Sequence, residues 1–151
     1  MKILDGEALH RKAWDIWSGK DSLDERDFLF APDGESIVFR SRSEPLPDTH
    51  EVWRMRSLLA PVMRREHRER VVKPREFRGW LASLLERHGW ALRSIEQVEP
   101  MEMTIRRGWR LTVVDTVFTA QVVDRENADR SYRSGIGRYK AFGCGMLIPQ
   151  G

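Results

Sequence analysis

Apolar positions recur at two different periods along this 151-residue chain, and the alternation between them sets the expected element order. Leu9, Ala13, Ile16 and Trp17 fall at helical spacing behind Asp5, which suits an N-cap, so a helix is predicted to about Trp17 with Gly19 as its stop. Arg26–Ala31 and Glu35–Arg42 flank Pro32-Asp33-Gly34, a hairpin signal. Glu44–His50 is rich in proline and polar residues and reads as a linker or wide turn. Val52–Ser57 alternates apolar with basic residues, as a half-exposed strand does. Pro74 suits a first helical turn, and Phe77, Trp80, Leu81, Leu84 and Leu85 repeat at helical spacing up to Gly89. Trp90–Val98 is a predicted strand, and Met101–Arg106 pairs with Arg110–Val123 around Arg107-Gly108. Asp124 caps a short polar helix through Arg133, and a glycine-rich loop feeds a last strand. Residues 1–4 (MKIL) form at most the stub of a strand. The second half of this order fits β-α-β-β-α-β, the split motif of ferredoxin-like domains. The first half reads as a pared-down copy, giving an α+β protein with two small sheets side by side.

Charge changes this picture more by kind than by amount. The net charge is only +3, but of 26 basic residues five are lysine and 21 arginine. Arginine suits phosphate forks and stacking on bases, and it also accumulates under high-GC coding, so composition leaves an RNA-binding reading and a neutral one both open. Arg64–Arg75 is the densest charge run; it is either a solvated loop or an arm along a nucleic-acid backbone, with Arg64, Arg65, Arg68 and Arg70 as contacts. Cys144 is the only cysteine and sits between Gly143 and Gly145, where it reads as a small buried filler. Neither a signal peptide nor a long apolar run is present, and a cytoplasmic protein without a membrane partner is expected. Most of the six tryptophans fall at apolar-face positions and are expected in the core.

The densest chemistry lies in GIGRYKAFGCGMLIPQG, Gly135–Gly151. Gly135, Gly137, Gly143 and Gly145 surround Arg138, Tyr139 and Lys140. Such a loop can turn several free N–H groups toward one anion, and two cations beside it suggest a nucleic-acid backbone. The spacing is not that of a nucleotide-triphosphate loop, and no helical pattern follows as a dinucleotide fold requires.

Two segments together resemble one family. LHRKAWDIWSGKDSLDERDFLF (Leu9–Phe30) and GIGRYKAFGCG (Gly135–Gly145) resemble the CasE-type CRISPR RNA endoribonucleases, tandem ferredoxin-like proteins of the RAMP superfamily. Trp53-Arg54-Met55-Arg56 followed by Ala60-Pro61, and the helix from Pro74 to His88, fit less tightly. The resemblance implies a pared-down N-terminal module over residues 1–44 and a C-terminal module over 45–151. It implies cleavage of CRISPR precursor RNA at a repeat stem-loop without metal or cofactor, giving a 2′,3′-cyclic phosphate, with the hairpin then kept in the Cascade complex. The sequence offers no carboxylate or Cys/His cluster for a metal. His10 matches the family's catalytic histidine, and an imidazole with its usual pKa of about 6.5 takes or gives a proton near neutral pH. Lys140 matches the loop lysine as a contact near the scissile phosphate or a stabiliser of its charge. Gly135, Gly137, Arg138 and Gly143 are expected against the RNA, and Arg106, Arg107 and Arg110 on the hairpin tip join the arm's arginines as stem contacts, since an A-form stem is read through backbone and shape.

Three departures bear on this expectation. Family members often carry a tyrosine three residues before the histidine, and here that position is Glu7. MKIL supplies half of a first strand expected to be central, and the stretch from Arg42 to Val52 is too short for the first module's second helix. The alternative is therefore a non-cleaving relative that binds the RNA or Cascade, as a structural subunit or a mobile-element mimic. A generic RNA-binding ferredoxin-like domain is a third reading.

Overall fold

Asp5 ends one element and starts the next. The computed structural model describes residues 2–18, 27–106 and 108–151, so the helix stop expected at Gly19, the strand start at Arg26 and the hairpin-tip residue Arg107 lie outside the described residues. β1 (Ile3–Asp5) leads directly into α1 (Gly6–Ser18), whose first turn is capped by Asp5 Oδ1 accepting from the Ala8 amide at 3.0 Å. Next come the hairpin β2 (Phe28–Asp33) and β3 (Ser36–Ser41), then β4 (Val52–Leu59), β5 (Val62–Arg65) and β6 (Arg68–Val71). α2 (Phe77–Arg87) follows a 3-10 turn at Pro74–Glu76, and β7 (Trp90–Ile105), β8 (Trp109–Val122), α3 (Arg125–Ser134) and β9 (Ile148–Pro149) complete the order. Asp124 caps α3 as expected, accepting from the Asn127 amide.

Five strands form one sheet in the order β1-β7-β8-β4-β9, with β2-β3 and β5-β6 as separate hairpins. The opening strand, expected at the centre of a sheet, lies instead at its edge, pairing in parallel with Glu102–Thr104. Three residues are enough there because only one side needs a partner. The two strands expected on either side of Pro100 are one strand, β7, running from Trp90 to Ile105 beside β8. Proline has no N–H to donate, and Pro100 is tolerated because β1 pairs only from Glu102 onward, leaving that side of β7 free. Most of the charge run, expected as a solvated loop or an arm along a nucleic-acid backbone, closes as the β5-β6 hairpin through Glu66 and His67, with left-handed φ of 53° and 64°.

α2 and α3 cover one face of the sheet, and Leu81, Leu85 and Tyr132, with Ile136 from the loop after α3, pack against Met55, Phe118 and Trp90. A second cluster joins Leu58, Val62, Met103, Val113, Phe142 and Cys144, with Leu4, Leu9 and Tyr139 against it. The β2-β3 hairpin bridges these regions by strand alternation: Phe28 and Phe30 face Ala13, Trp14 and Trp17 of α1, whereas Leu29 and Ala31 face Met146. Buried Arg40 fastens the hairpin to the rest, donating to the Leu147 carbonyl at 2.8 Å and the Tyr132 carbonyl at 3.2 Å. The result is an α+β fold of the tandem ferredoxin-like kind, built on one five-stranded sheet with two separate hairpins instead of the two small sheets expected, because β1 pairs with β7 across the chain. Among the described residues, no helix is long and apolar enough to cross a membrane.

Cys144 is 2% exposed, and burial pushes its thiol up to about 12. Iodoacetamide is therefore expected to leave it unmodified in the folded protein and to label it fully in denaturant, with mass spectrometry as the check. Fast labelling under native conditions would contradict this packing.

Candidate active site

α1 lies close enough to β7 to bring its side chains to the loop because Gly6 carries no Cβ. A Cβ there would stand 2.9 Å from both the Thr104 carbonyl oxygen and Ile105 Cγ2. From this helix the His10 ring reaches the glycine-rich loop, its Nδ1 2.8 Å from the Ala141 carbonyl oxygen. A carbonyl only accepts, so Nδ1 carries a proton, and in the neutral imidazole the lone pair is then on Nε2. The ring is half-buried, with Phe142 and Trp14 at centroid distances of 6.0 and 6.2 Å. Glu7, Arg11, Arg106, Ala141 and Phe142 join His10 around an open cleft of about 300 Å³. Glu7 stands 3.9 Å from Arg11, a turn further along the exposed side of the helix.

The loop is itself a fixed object. Ile136 donates to the Gly145 carbonyl at 2.9 Å, and the Gly145 amide donates to Leu58 on β4 at 2.8 Å. Tyr139 adopts a left-handed φ of 63°, and its carbonyl receives the amides of Phe142 (3.0 Å) and Cys144 (3.3 Å). Its hydroxyl donates to Glu69 on the β5-β6 hairpin, which also pairs with Arg138 at 3.1 Å. Burial and the Glu69 hydrogen bond push the phenol up to about 12, so its proton stays in place.

Lys140 lines a different cleft, of about 250 Å³, with Trp80, Arg87, His88, Gly137 and Arg138. Consecutive residues of one turn, Lys140 and Ala141, thus face two concavities. Burial, then the charge of Arg42, lowers the Lys140 pKa; burial, then Lys140 and Arg87, lowers that of His88. Arg42 Nε is buried with no hydrogen-bond partner among the described residues. Lys140, Arg42 and Arg87 with His88, beside an Arg138 already paired with Glu69, concentrate positive charge that favours an anion.

The expected site residues therefore divide. His10 and Arg106 come together in the first cleft, while Gly137, Arg138 and Lys140 share the second. Gly135 and Gly143 are buried, and the space left by their missing Cβ is occupied by protein: Gly145 and Leu29 at one, Pro32 and Phe30 at the other. Arg64, Arg65 and Arg68 are exposed on the hairpin without an ion pair among the described residues. Arg70, Arg110 and Arg138 already hold Glu76, Glu102 and Glu69. Arg11, Arg42, Arg87 and the Ala141 carbonyl escaped the sequence reading; Arg11 alone carried a signal, as His10's neighbour. Trp109, expected in the core, is 73% exposed. No three His, Cys, Asp or Glu side chains converge among the described residues.

A family model described as CRISPR associated protein matches residues 32–148. The chain belongs to this CRISPR-associated family. Within it the fold is that of the CasE-type members. Thermus thermophilus Cse3, bound to an RNA representing a pre-cleavage complex, superposes with a TM-score of 0.78 at 20% identity, over 97% of this chain and 89% of that one. Cas6e from Escherichia coli str. K-12 gives 0.65 at 16% identity, over 96% and 91%. A chain of a CRISPR RNA-guided surveillance complex gives 0.59 at 21%, over 96% and 89%. At these identities the likeness is one of fold. No curated protein matches the sequence significantly.

Proposed function

We propose that the chain is a metal-independent endoribonuclease that cuts CRISPR precursor RNA at a repeat stem-loop and then holds the hairpin within Cascade. The observation that carries this reading is the 2.8 Å contact between His10 Nδ1 and the Ala141 carbonyl, which joins the opening helix to the terminal loop and fixes the imidazole tautomer. In that tautomer Nε2 takes the proton of a ribose 2′-OH. The 2′-oxygen attacks the adjacent phosphorus, the bond from phosphorus to the 5′-oxygen breaks, and that oxygen takes a proton from solvent. The products are a 2′,3′-cyclic phosphate and a 5′-OH. Arg106 and Arg11 line the same cleft and supply positive charge for the phosphorane oxygens. Solved relatives of the same fold are described as RNA-bound Cse3 and as a CRISPR RNA-guided surveillance complex, which supports both RNA and Cascade as partners. To test this, repeat RNA is incubated with the protein in excess EDTA and the product ends are read by mass spectrometry. A cyclic phosphate is expected, and an intact RNA or a 3′-OH product would overturn the reading.

Lys140 in this account holds a phosphate beside the scissile one. Lys140→Ala is expected to weaken hairpin binding about tenfold. It should also reduce the slope of log affinity against log salt by about one. Filter binding across a salt series measures both, and an unchanged slope would remove Lys140 from the RNA contacts. Arg64, Arg65 and Arg68 are proposed as stem contacts because nothing among the described residues neutralises them. The exposed pairs of Arg70, Arg110 and Arg138 are individually worth only about 0–1 kcal/mol, which a phosphate can displace.

Glu7 favours the second reading, a non-cleaving RNA- or Cascade-binding protein, because it puts an acceptor in the His10 cleft where the family often has a phenol donor. Tight hairpin binding without product would select it.

A further inference from the structure

The most exposed large aromatic of the described chain stands beside the His10 cleft. Trp109 opens β8 with 73% of its surface exposed, at the tip of the β7-β8 hairpin. It borders a cavity of about 600 Å³ with Glu7, Ile105, Arg106, Tyr139 and Phe142, a size in the range of small-ligand pockets. Three of these residues, Glu7, Arg106 and Phe142, also line the cleft that holds His10, so the two concavities adjoin. The cavity wall is largely apolar, yet one cation and one carboxylate stand at its edge.

The wall opposite a ligand is held in place. Tyr139 cannot swing freely: its backbone sits at φ 63°, two amides bond its carbonyl, and its hydroxyl is engaged by Glu69. A left-handed tyrosine is a strained conformation that persists where the surroundings over-determine it. Trp109 has no such packing. An indole left in water beside a rigid phenol and a guanidinium is an arrangement suited to a flat, polar-edged π system, and in a protein that binds RNA that is a base.

We propose that Trp109 and Tyr139 form a seat for one unpaired nucleobase next to the scissile phosphate, with Trp109 as its stacking surface, Arg106 toward its phosphate and Glu7 as acceptor for an amino group on its edge. This rests on the reading of the chain as an RNA-processing protein and adds to it a positioning function for two residues outside the proton-transfer step. Seating the base draws its nucleotide out of the helical stack, which lets the 2′-oxygen line up with the phosphorus. Glu7 then has a use beyond replacing a phenol: it reads the base.

The probe is a set of repeat-type stem-loop RNAs with 2-aminopurine placed singly on either side of the stem base. It is bound to the His10→Ala chain so that the RNA stays whole. Fluorescence at one labelled position is expected to be quenched by stacking. The quench should be lost when Trp109→Ala is added and kept with Trp109→Phe. In the chain with His10 intact, Trp109→Ala is expected to slow single-turnover cleavage about ten- to a hundredfold, with Trp109→Phe restoring most of it. Trp109 is exposed, so these variants fold. A quench indifferent to Trp109→Ala, while the wild-type chain cleaves, overturns the base seat and leaves the endoribonuclease standing. Absent cleavage by the wild type with a Trp109-dependent quench keeps the seat and overturns the enzyme. No RNA binding at all overturns both.

Discussion

His10→Ala is expected to slow cleavage of a repeat stem-loop by about 10²–10⁴-fold while hairpin affinity stays close to wild type. The size follows from the role. A positioned general base contributes that much when the proton leaves in the transition state, and no other histidine lines the cleft. The selectivity follows from geometry. The ring is half-exposed and makes one hydrogen bond to a loop carbonyl, so its removal takes away a proton acceptor without opening the core. The stem contacts proposed for the β5-β6 hairpin belong to another element. His10→Gln is the informative companion: it can keep a hydrogen bond to Ala141 but offers no titrating nitrogen, and it is expected to be as inactive as alanine. Single-turnover kinetics beside equilibrium binding separate the two effects. A joint loss of binding and cleavage would make His10 a structural tether.

Gly145→Ala is expected to destabilise the protein by about 3–5 kcal/mol, which for a chain of this length lowers Tm by roughly 10 °C or more. An added Cβ would lie 2.1 Å from the Ile136 carbonyl oxygen, a backbone atom that cannot swing aside, at a φ of 93° that side chains rarely adopt. Relief requires breaking the Ile136–Gly145 and Gly145–Leu58 hydrogen bonds that close the loop against β4. Ala141 and Tyr139 sit in that loop, so the variant should lose cleavage even at temperatures where it remains folded. Calorimetry and cleavage assays together check this. Gly34→Ala, at a hairpin tip where a Cβ meets nothing, is the control: it is strained by its φ of 62° but leaves the site alone. Equal losses at Gly145 and Gly34 would mean that backbone strain, not loop closure, governs the effect.

The legible parts of the chain are those whose signals are local. Asp5 and Asp124 cap helices where their positions say they should, and the hairpin signalled by Pro32-Asp33-Gly34 forms, although Pro32 and Asp33 still pair as strand and the turn itself is Gly34-Glu35. Leu81, Leu84 and Leu85 bury the stripe their spacing announces. The illegible parts depend on what lies across the fold. Glu66-His67 makes a hairpin turn without glycine or asparagine, and so hides a strand pair inside a charge run. Pro100 reads as a break, yet a strand passes through it because its open side faces no neighbour. In the site, resemblance pointed to His10 and the loop, while the carbonyl that orients the ring and the partition of Lys140 into a second cleft exist only in three dimensions. Gly135 and Gly143 carry the signature of a ligand-binding loop because tight packing and close ligand approach demand the same absence of a side chain. Trp109 looks like core from its composition class alone, and only the hairpin's projection exposes it.

Chemical rescue bears most directly on the imidazole at the loop. Single-turnover cleavage by His10→Ala is followed in EDTA as free imidazole is added. The rate is expected to rise with imidazole concentration from a nearly inactive baseline, with a 2′,3′-cyclic phosphate as product. Cleavage by His10→Ala at the wild-type rate, with no imidazole present, would contradict the assignment.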